Sequence, residues 1–229
     1  FISRVKDADI VLVGRYGFSK EAFEESRNLK MLSVWQTGYD HIDIKTATEK
    51  GVIVSNVPEY AFDAVAEMVF ALALNLLRKV DIADSRLREG KFDWRDYIGN
   101  QLMGKTMGVI GTGSIGGRVI QIAHGFNMNV ISVTGHPSEE KARKLGIEFV
   151  DLDTLLRESD IVTLHVPLTP STEKMIGKAQ LEKMKSSAIL INTSRGKVVD
   201  QAALIEILKE GKIKGAGLDV FEKEPLPMD

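Results

Sequence analysis

Three polar residues near the end of the chain stand where chemistry on a small polar substrate could be done. Arg195 lies in Asn192-Thr193-Ser194-Arg195-Gly196, just after a run of apolar residues. A guanidinium there can hold a carboxylate by two parallel bonds and polarise a neighbouring carbonyl. Glu224, next to Pro225, could hold an imidazole in one tautomer and raise its pKa. Asp219, at the end of another apolar run, could accept from an amide of a ligand. Taken singly, each also reads as a surface residue. Arg195 would be a charge following a strand, and Glu224 a solvated turn residue, since Glu222 and Glu224 flank Lys223.

The elements that must position them are organised around residues 107 to 117, Met-Gly-Val-Ile-Gly-Thr-Gly-Ser-Ile-Gly-Gly. The stretch reads as a buried strand, a glycine turn and the start of a helix. Gly111, Gly113 and Gly116 have the spacing G-x-G-x-x-G. The first glycine allows the sharp turn, the second a close approach of a pyrophosphate, and the third close packing of helix on strand. The helix starting near Ser114 and Ile115 would offer free N–H groups and a positive dipole end to phosphates. The alternative is a glycine-rich turn of a parallel sheet with no ligand.

The chain has 229 residues, 44% hydrophobic and 27% charged. That is ordinary globular composition, enough for one large domain or two small ones. A net charge of -2 provides no basic field for nucleic acid or an anionic membrane. With no cysteine, disulfides, thiolate metal sites and a catalytic thiol are excluded, and no metal is expected. The longest apolar stretch, 64–77, is too short to span a bilayer and carries Glu67 and Asn75. The expected location is the cytoplasm.

Before residue 61, strands are expected at Asp9–Val13, Met31–Trp35 and Val52–Ser55, with helices at Lys20–Arg27 and Asp43–Lys50. This is small for an α/β domain and reads as part of a larger one. A single long helix is expected from Phe62 to Leu87. Its first half is apolar nearly all round and must be buried, and a partner subunit is one way to bury it. Strand and helix units then repeat to Val220. Their fully apolar strands predict a parallel sheet covered on both faces. Ligands in such sheets sit beyond the carboxyl ends of the strands. That singles out Thr37, Thr134, His165, Arg195 and Glu224.

Four motifs fall in order. They are Gly-Thr-Gly-Ser-Ile-Gly, His165-Val166-Pro167-Leu168-Thr169, Asn192 to Asp200 (NTSRGKVVD), and Asp219-Val220-Phe221-Glu222-Lys223-Glu224-Pro225. Over nearly its whole length the chain resembles the D-isomer-specific 2-hydroxyacid dehydrogenase family. Thr37-Gly38-Tyr39-Asp40 is similar to the family's substrate loop. The resemblance implies an α/β fold: a doubly wound, Rossmann-like cofactor domain over 62–229, with part of a flavodoxin-like substrate domain over 1–61. It implies hydride transfer between NAD(P)H and a small 2-oxo acid, and a homodimer through the 62–87 helix. Arg195 would bind the substrate carboxylate and carbonyl, and Thr37 and Gly38 the substrate. Glu224 would pair with a catalytic His. Gly111, Gly113, Ser114, Ile115, Gly116, Thr134, Val166, Pro167, Thr172, Thr193, Ser194 and Asp219 would surround the cofactor, with Asp219, Thr193 and Ser194 at the nicotinamide amide.

The chain departs from the family pattern in three places. The family's acid/base His lies beyond the Glu-Pro turn, past Asp229, and the opening strand and helix precede Phe1. Both ends are therefore expected to be cut. His41, His124, His136 and His165 are poor substitutes for the missing donor. Thr134 occupies the position of the acidic residue that holds the ribose 2′-OH. NADP is then permitted, although no Arg selects it and the balance leans slightly to NAD. Formate dehydrogenases of this fold carry Gln where Glu224 stands, and phosphite dehydrogenases carry Lys where Thr37 stands, so neither substrate is expected. An alternative is a nucleotide-sensing protein-interaction module of the C-terminal-binding corepressor type, which shares the fold and motifs.

Overall fold

The computed structural model describes residues 2–14 and 16–226. The two ends, Phe1 and Asp229, on which the reading of a cut chain rests, lie outside them. The chain divides into two compact units, Phe1–Ala61 and Phe62–Asp229.

The first unit contains α1 (Ile2–Val5), β1 (Ile10–Val13), α2 (Lys20–Glu25), β2 (Met31–Val34), α3 (Ile44–Glu49) and β3 (Ile53–Ser55). The strands form a parallel sheet in the order β1-β2-β3. Ser19 and Asp43 start α2 and α3 by accepting from the Ala22 and Thr46 amides, which satisfies donors the helix itself cannot. Phe18 and Phe23 meet edge to face at 4.5 Å in its core. The sheet buries one side only. Val11 and Val13 are inside, whereas Ile10, Leu12 and Ile53 are exposed.

The second unit runs α4 (Phe62–Arg78), α5 (Val80–Arg88), β4 (Thr106–Ile110), α6 (Ser114–Gly125), β5 (Asn129–Val133), α7 (Glu139–Leu145), β6 (Glu148–Phe149), α8 (Leu152–Glu158), β7 (Ile161–Leu164), α9 (Lys178–Leu181), β8 (Ile189–Asn192), α10 (Gln201–Lys209) and β9 (Gly215–Leu218). Its six strands are all parallel, in the order β6-β5-β4-β7-β8-β9. Strand order reverses beside β4, the switch point at which such sheets bind ligands. β7 and β8 are buried at every position, as their apolar sequences require. One core packs α4 and α6 on one face of this sheet, and a second core packs α8, α9 and α10 on the other.

The expected single helix from Phe62 to Leu87 is two helices. Lys79 adopts the left-handed conformation at φ 55° and separates α4 from α5. The Asn75 side chain accepts from the Asp81 amide at 3.0 Å and so serves the start of α5. No glycine or proline marks this break. The apolar face of α4 is also covered from within its own chain. Ala66, Val69, Phe70, Ala73 and Leu77 are buried against α6 and the sheet, and Phe70 stacks on Phe126 at 5.4 Å. A partner subunit is not needed to bury them.

Phe70→Ala should therefore destabilise the isolated chain by about 3–5 kcal/mol, the usual cost of emptying a buried aromatic site. Chemical denaturation checks this. An unchanged midpoint would show that Phe70 is not part of the intrachain core.

Candidate active site

The glycine turn is held by three constraints internal to the protein. Gly111 has φ +97°, which side chains rarely adopt, and its amide donates to Val133 O at 2.8 Å. A Cβ on Gly111 would run into the carbonyl of His165, and one on Gly116 into the carbonyl of Gly111. Gly113 is different. It is exposed, its φ is -71°, and a Cβ there would meet nothing within 4 Å. Nothing inside the protein requires glycine at that point, whereas a ligand lying against the backbone would. Gly113 is the N-cap of α6 and makes no side-chain cap, so the amides at Ser114 and Ile115 open the helix with no capping side chain of its own. The residues fit a dinucleotide pyrophosphate.

His165 sits below this turn. Its backbone amide donates to Ile110 O at 2.7 Å, and its ring Nε2 lies 3.0 Å from the buried Thr163 hydroxyl. Burial pushes its pKa down to about 4, because an imidazolium loses its hydration there. The ring is neutral at pH 7 and is poorly placed to be a proton donor. Val166 Cγ1 also lines the Gly111 backbone. Pro167 starts a loop fastened by Thr172, whose hydroxyl donates to Pro167 O at 2.6 Å and accepts from the Thr169 amide at 2.8 Å.

Asn192 organises the loop after β8. Its Oδ1 accepts from the Ser194 amide at 3.0 Å and the Ser194 hydroxyl at 2.8 Å, and its Nδ2 donates to Arg195 O at 2.9 Å. Asn192 is 1% exposed. Sequence reasoning quoted it only as part of a motif. The available signal was a polar side chain closing the otherwise apolar strand Ile189–Asn192. Arg195 is half-buried, with its guanidinium donating to Ser194 O at 2.8 Å. Gly196 allows the chain after β9 to cross in contact with this loop, since a Cβ there would overlap the Phe221 carbonyl. The crossing is tied by two reciprocal bonds, Gln201 N to Glu222 Oε1 at 3.1 Å and Glu222 N to Gln201 Oε1 at 3.2 Å. Asp219 is exposed and its amide donates to Asn192 O at 3.0 Å. Glu224 is exposed and accepts from the Phe221 amide at 3.0 Å.

The candidates in this unit thus occupy the carboxyl ends of five adjacent strands. Thr134 follows β5, Gly111 to Gly116 follow β4, Val166 to Thr172 follow β7, Thr193 to Arg195 follow β8, and Asp219 and Glu224 follow β9. Strands are about 4.8 Å apart, so the row is about 20 Å long. Thr37 and Gly38 belong to the first unit. There the Thr37 hydroxyl donates to Val57 O at 3.1 Å, and Asn56 Nδ2 donates to Thr37 O at 2.8 Å. Of the other histidines, His41 bonds Gly14 O and His124 bonds Leu145 O.

Residues 70–229 match the family model of the D-isomer specific 2-hydroxyacid dehydrogenase NAD binding domain. The chain belongs to this family. A glyoxylate reductase of Korarchaeum cryptofilum is 46% identical over 100% of this chain and 70% of its own length. A D-lactate dehydrogenase of Aquifex aeolicus, solved with NAD and lactic acid, superposes with a TM-score of 0.92 at 36% identity, over 97% of this chain and 67% of that one. An acyclic imino acid reductase, Bsp5, solved with NADPH and D-Arg, gives 0.90 at 37% identity, over 97% and 71%. The dehydrogenase family accounts for the parallel six-stranded unit and the glycine turn together. These relatives are named for enzymes, which favours an enzyme over a corepressor module.

The neutral His165 has a consequence for stability. In the unfolded chain it takes up a proton near its ordinary pKa of 6.5, but in the fold only near 4. Between these values the unfolded state binds more protons, so stability falls as pH drops from about 6.5 to 4, by about 3 kcal/mol in total. His165→Gln should flatten that limb of a pH–stability profile. An unchanged slope would show that His165 is not buried neutral.

Proposed function

We propose that this chain binds a nicotinamide dinucleotide along the row of strand ends and reduces a small 2-oxo acid to its D-2-hydroxy acid. The observation that carries the reading is Gly113, an exposed glycine at which a Cβ would meet nothing within 4 Å, at the bare start of α6, where the glycine turn leaves the helix amides open to a pyrophosphate. A bound nicotinamide dinucleotide supplies the hydride. Gly111 to Gly116 hold the pyrophosphate against the helix amides. Thr134 faces the adenosine ribose, and Val166, Pro167 and Thr172 form the wall beside it. Thr193, Ser194 and Asp219 fix the nicotinamide end. Arg195 takes the substrate carboxylate and carbonyl, meeting the negative charge that develops on oxygen. Glu224 orients a histidine acid, and Thr37 and Gly38 contact the substrate. Residues 1–61 serve as part of the substrate domain and 62–229 as the cofactor domain. Thr134 neither repels nor selects a 2′-phosphate, and with no arginine after β5 the preference leans to NADH. The location proposed is the cytoplasm; among the described residues no helix is long and apolar enough to cross a membrane.

Binding of NADH and NADPH by calorimetry tests the site. Gly113→Asp should weaken both at least tenfold, by placing a side chain and a charge against the pyrophosphate. Equal affinity of the two proteins would remove the site. In the complete enzyme, turnover of glyoxylate, hydroxypyruvate, phosphohydroxypyruvate and pyruvate identifies the substrate. Arg195→Ala should lower kcat on the preferred one by about 10²–10³. A wild-type rate would exclude Arg195 from the reaction.

A homodimer is proposed as well, through α5 and the segment after it rather than the buried face of α4. No residue of α5 is buried, and Val80, Ile82, Leu87, Phe92 and Trp94 are each more than half exposed. An apolar surface of this extent fits a subunit contact. Ile82→Lys combined with Trp94→Ser should yield folded monomers in sedimentation. Unchanged sedimentation would place the contact elsewhere.

A further inference from the structure

The turn after β9 carries two carboxylates that face different ways. Glu224 is exposed, accepts from the Phe221 amide with one oxygen, and has no partner for the other among the described residues. Glu222, two residues earlier, is half-buried. Its Oε1 accepts from the amide of Gln201, the first residue of α10, and Gln201 Oε1 accepts in return from the Glu222 amide. A carboxylate at a helix start meets both a free N–H and the positive end of the helix dipole. The helix end it grips is itself fixed. Asp200 accepts from the Ala203 amide at 3.1 Å and from the Lys174 ammonium at 3.2 Å, while the Lys174 amide donates to Lys197 O at 2.8 Å. Lys174 belongs to the loop after β7 and Lys197 to the loop after β8. Glu222 and Gln201 therefore join the turn after β9 to a point already tied to the two neighbouring strand ends. Gly196 is in backbone contact with Phe221 and Glu222 at this junction. Arg195 adjoins that glycine, and Glu224 is two residues past the junction.

We propose that Glu222 and Gln201 are positioning residues of the reaction, which touch no substrate or cofactor and set where Glu224 stands relative to Arg195. The inference rests on the roles given above to Arg195 and Glu224. It adds a reason why two groups from different strand ends keep one separation. Three charged residues in a row, Glu222-Lys223-Glu224, would otherwise make a solvated turn free to swing. Anchoring the first of them to α10 gives the turn one orientation, with Glu224 on its open side. A displacement of about 1 Å in an orienting group can cost about 10²-fold in rate. Hydrogen bonds this far behind the reacting atoms therefore bear on turnover. Their effect falls on the proton donor that Glu224 orients. The glycine turn that holds the dinucleotide follows β4, three strands away from β9, and is not disturbed.

Turnover of the preferred 2-oxo acid by the complete enzyme tests this. Glu222→Ala and Gln201→Ala each remove one of the two bonds. Each should lower kcat about tenfold, and leave NADH affinity by calorimetry within about threefold of wild type. Each should melt within about 4 °C of wild type. The alkaline limb of the reduction profile should also move to lower pH, because an imidazole that loses a well-placed carboxylate releases its proton more readily. Glu222→Gln lacks the charge but still accepts from the Gln201 amide, and should recover kcat to within about threefold of wild type. Wild-type kcat and an unmoved limb in both alanine variants would overturn the proposal. So would a loss of NADH affinity and melting temperature with the limb unmoved, which would make the junction a purely structural contact. Glu224→Gln is the control on the site itself. If it turns over like wild type, the reading of Glu224 fails and this proposal with it. If Glu224→Gln is impaired and the two alanine variants are not, only the proposal fails.

Discussion

The structure of the larger unit depends on how closely three backbone segments approach at the end of β4. The Gly111 amide is taken by Val133 at the end of β5. The space where Gly111 would carry a Cβ is occupied by the His165 carbonyl at the end of β7, and Gly116 returns to pack on Gly111 itself. The turn is thereby bonded to β5 and packed against the end of β7 and its own helix. Any side chain at 111 or 116 would push β7 or α6 outward. The start of α6 is held in place by the sheet and not by a cap, leaving its first amides available to an anion.

A second close approach does the same for the reactive end. Asn192 uses its whole amide group on Ser194 and Arg195, which fixes the course of the loop from Thr193 to Arg195. Gly196 then lets Phe221 and Glu222 cross directly against that loop, and the Gln201 and Glu222 side chains lock the crossing. Arg195 and the turn bearing Glu224 are brought to the same end of the sheet by backbone contact and hydrogen bonds that lie behind them. This is the support that a positioned guanidinium needs, because a small displacement of an orienting group costs much of its effect.

Most of this was legible in the sequence because the signals are local. Apolar runs located the strands of the larger unit, and Ser138, Asp151 and Asp200 are of the residue types that cap helices; each accepts from an amide in the first turn. The glycine spacing located the turn. The break at Lys79 was not legible, since a lysine in the left-handed region carries no glycine-like signature and the apolar pattern runs on past it. The inward face of α4 was misassigned for a related reason. Periodicity shows that a face must be buried but not by what, and Phe126, which stacks on Phe70, lies on an element remote in sequence. The role of Asn192 depends on three bonds that exist only once the loop has turned.

The neutral state of His165 bears on how an anion would be attracted to this edge. A cation directly beneath the glycine turn would draw in a pyrophosphate, and a histidine stands there. Burial disfavours the charge at neutral pH, because the lost hydration of an imidazolium is not offset by a carboxylate; the ring's hydrogen-bond partner is the neutral hydroxyl of Thr163. Directly at the turn, the opening amides of α6 and its macrodipole supply positive potential without a charge on the ring. Such dipoles do not titrate. They also need no counter-ion while the site is free, so the turn can stay tightly packed against β7 and still present positive potential on its outer side.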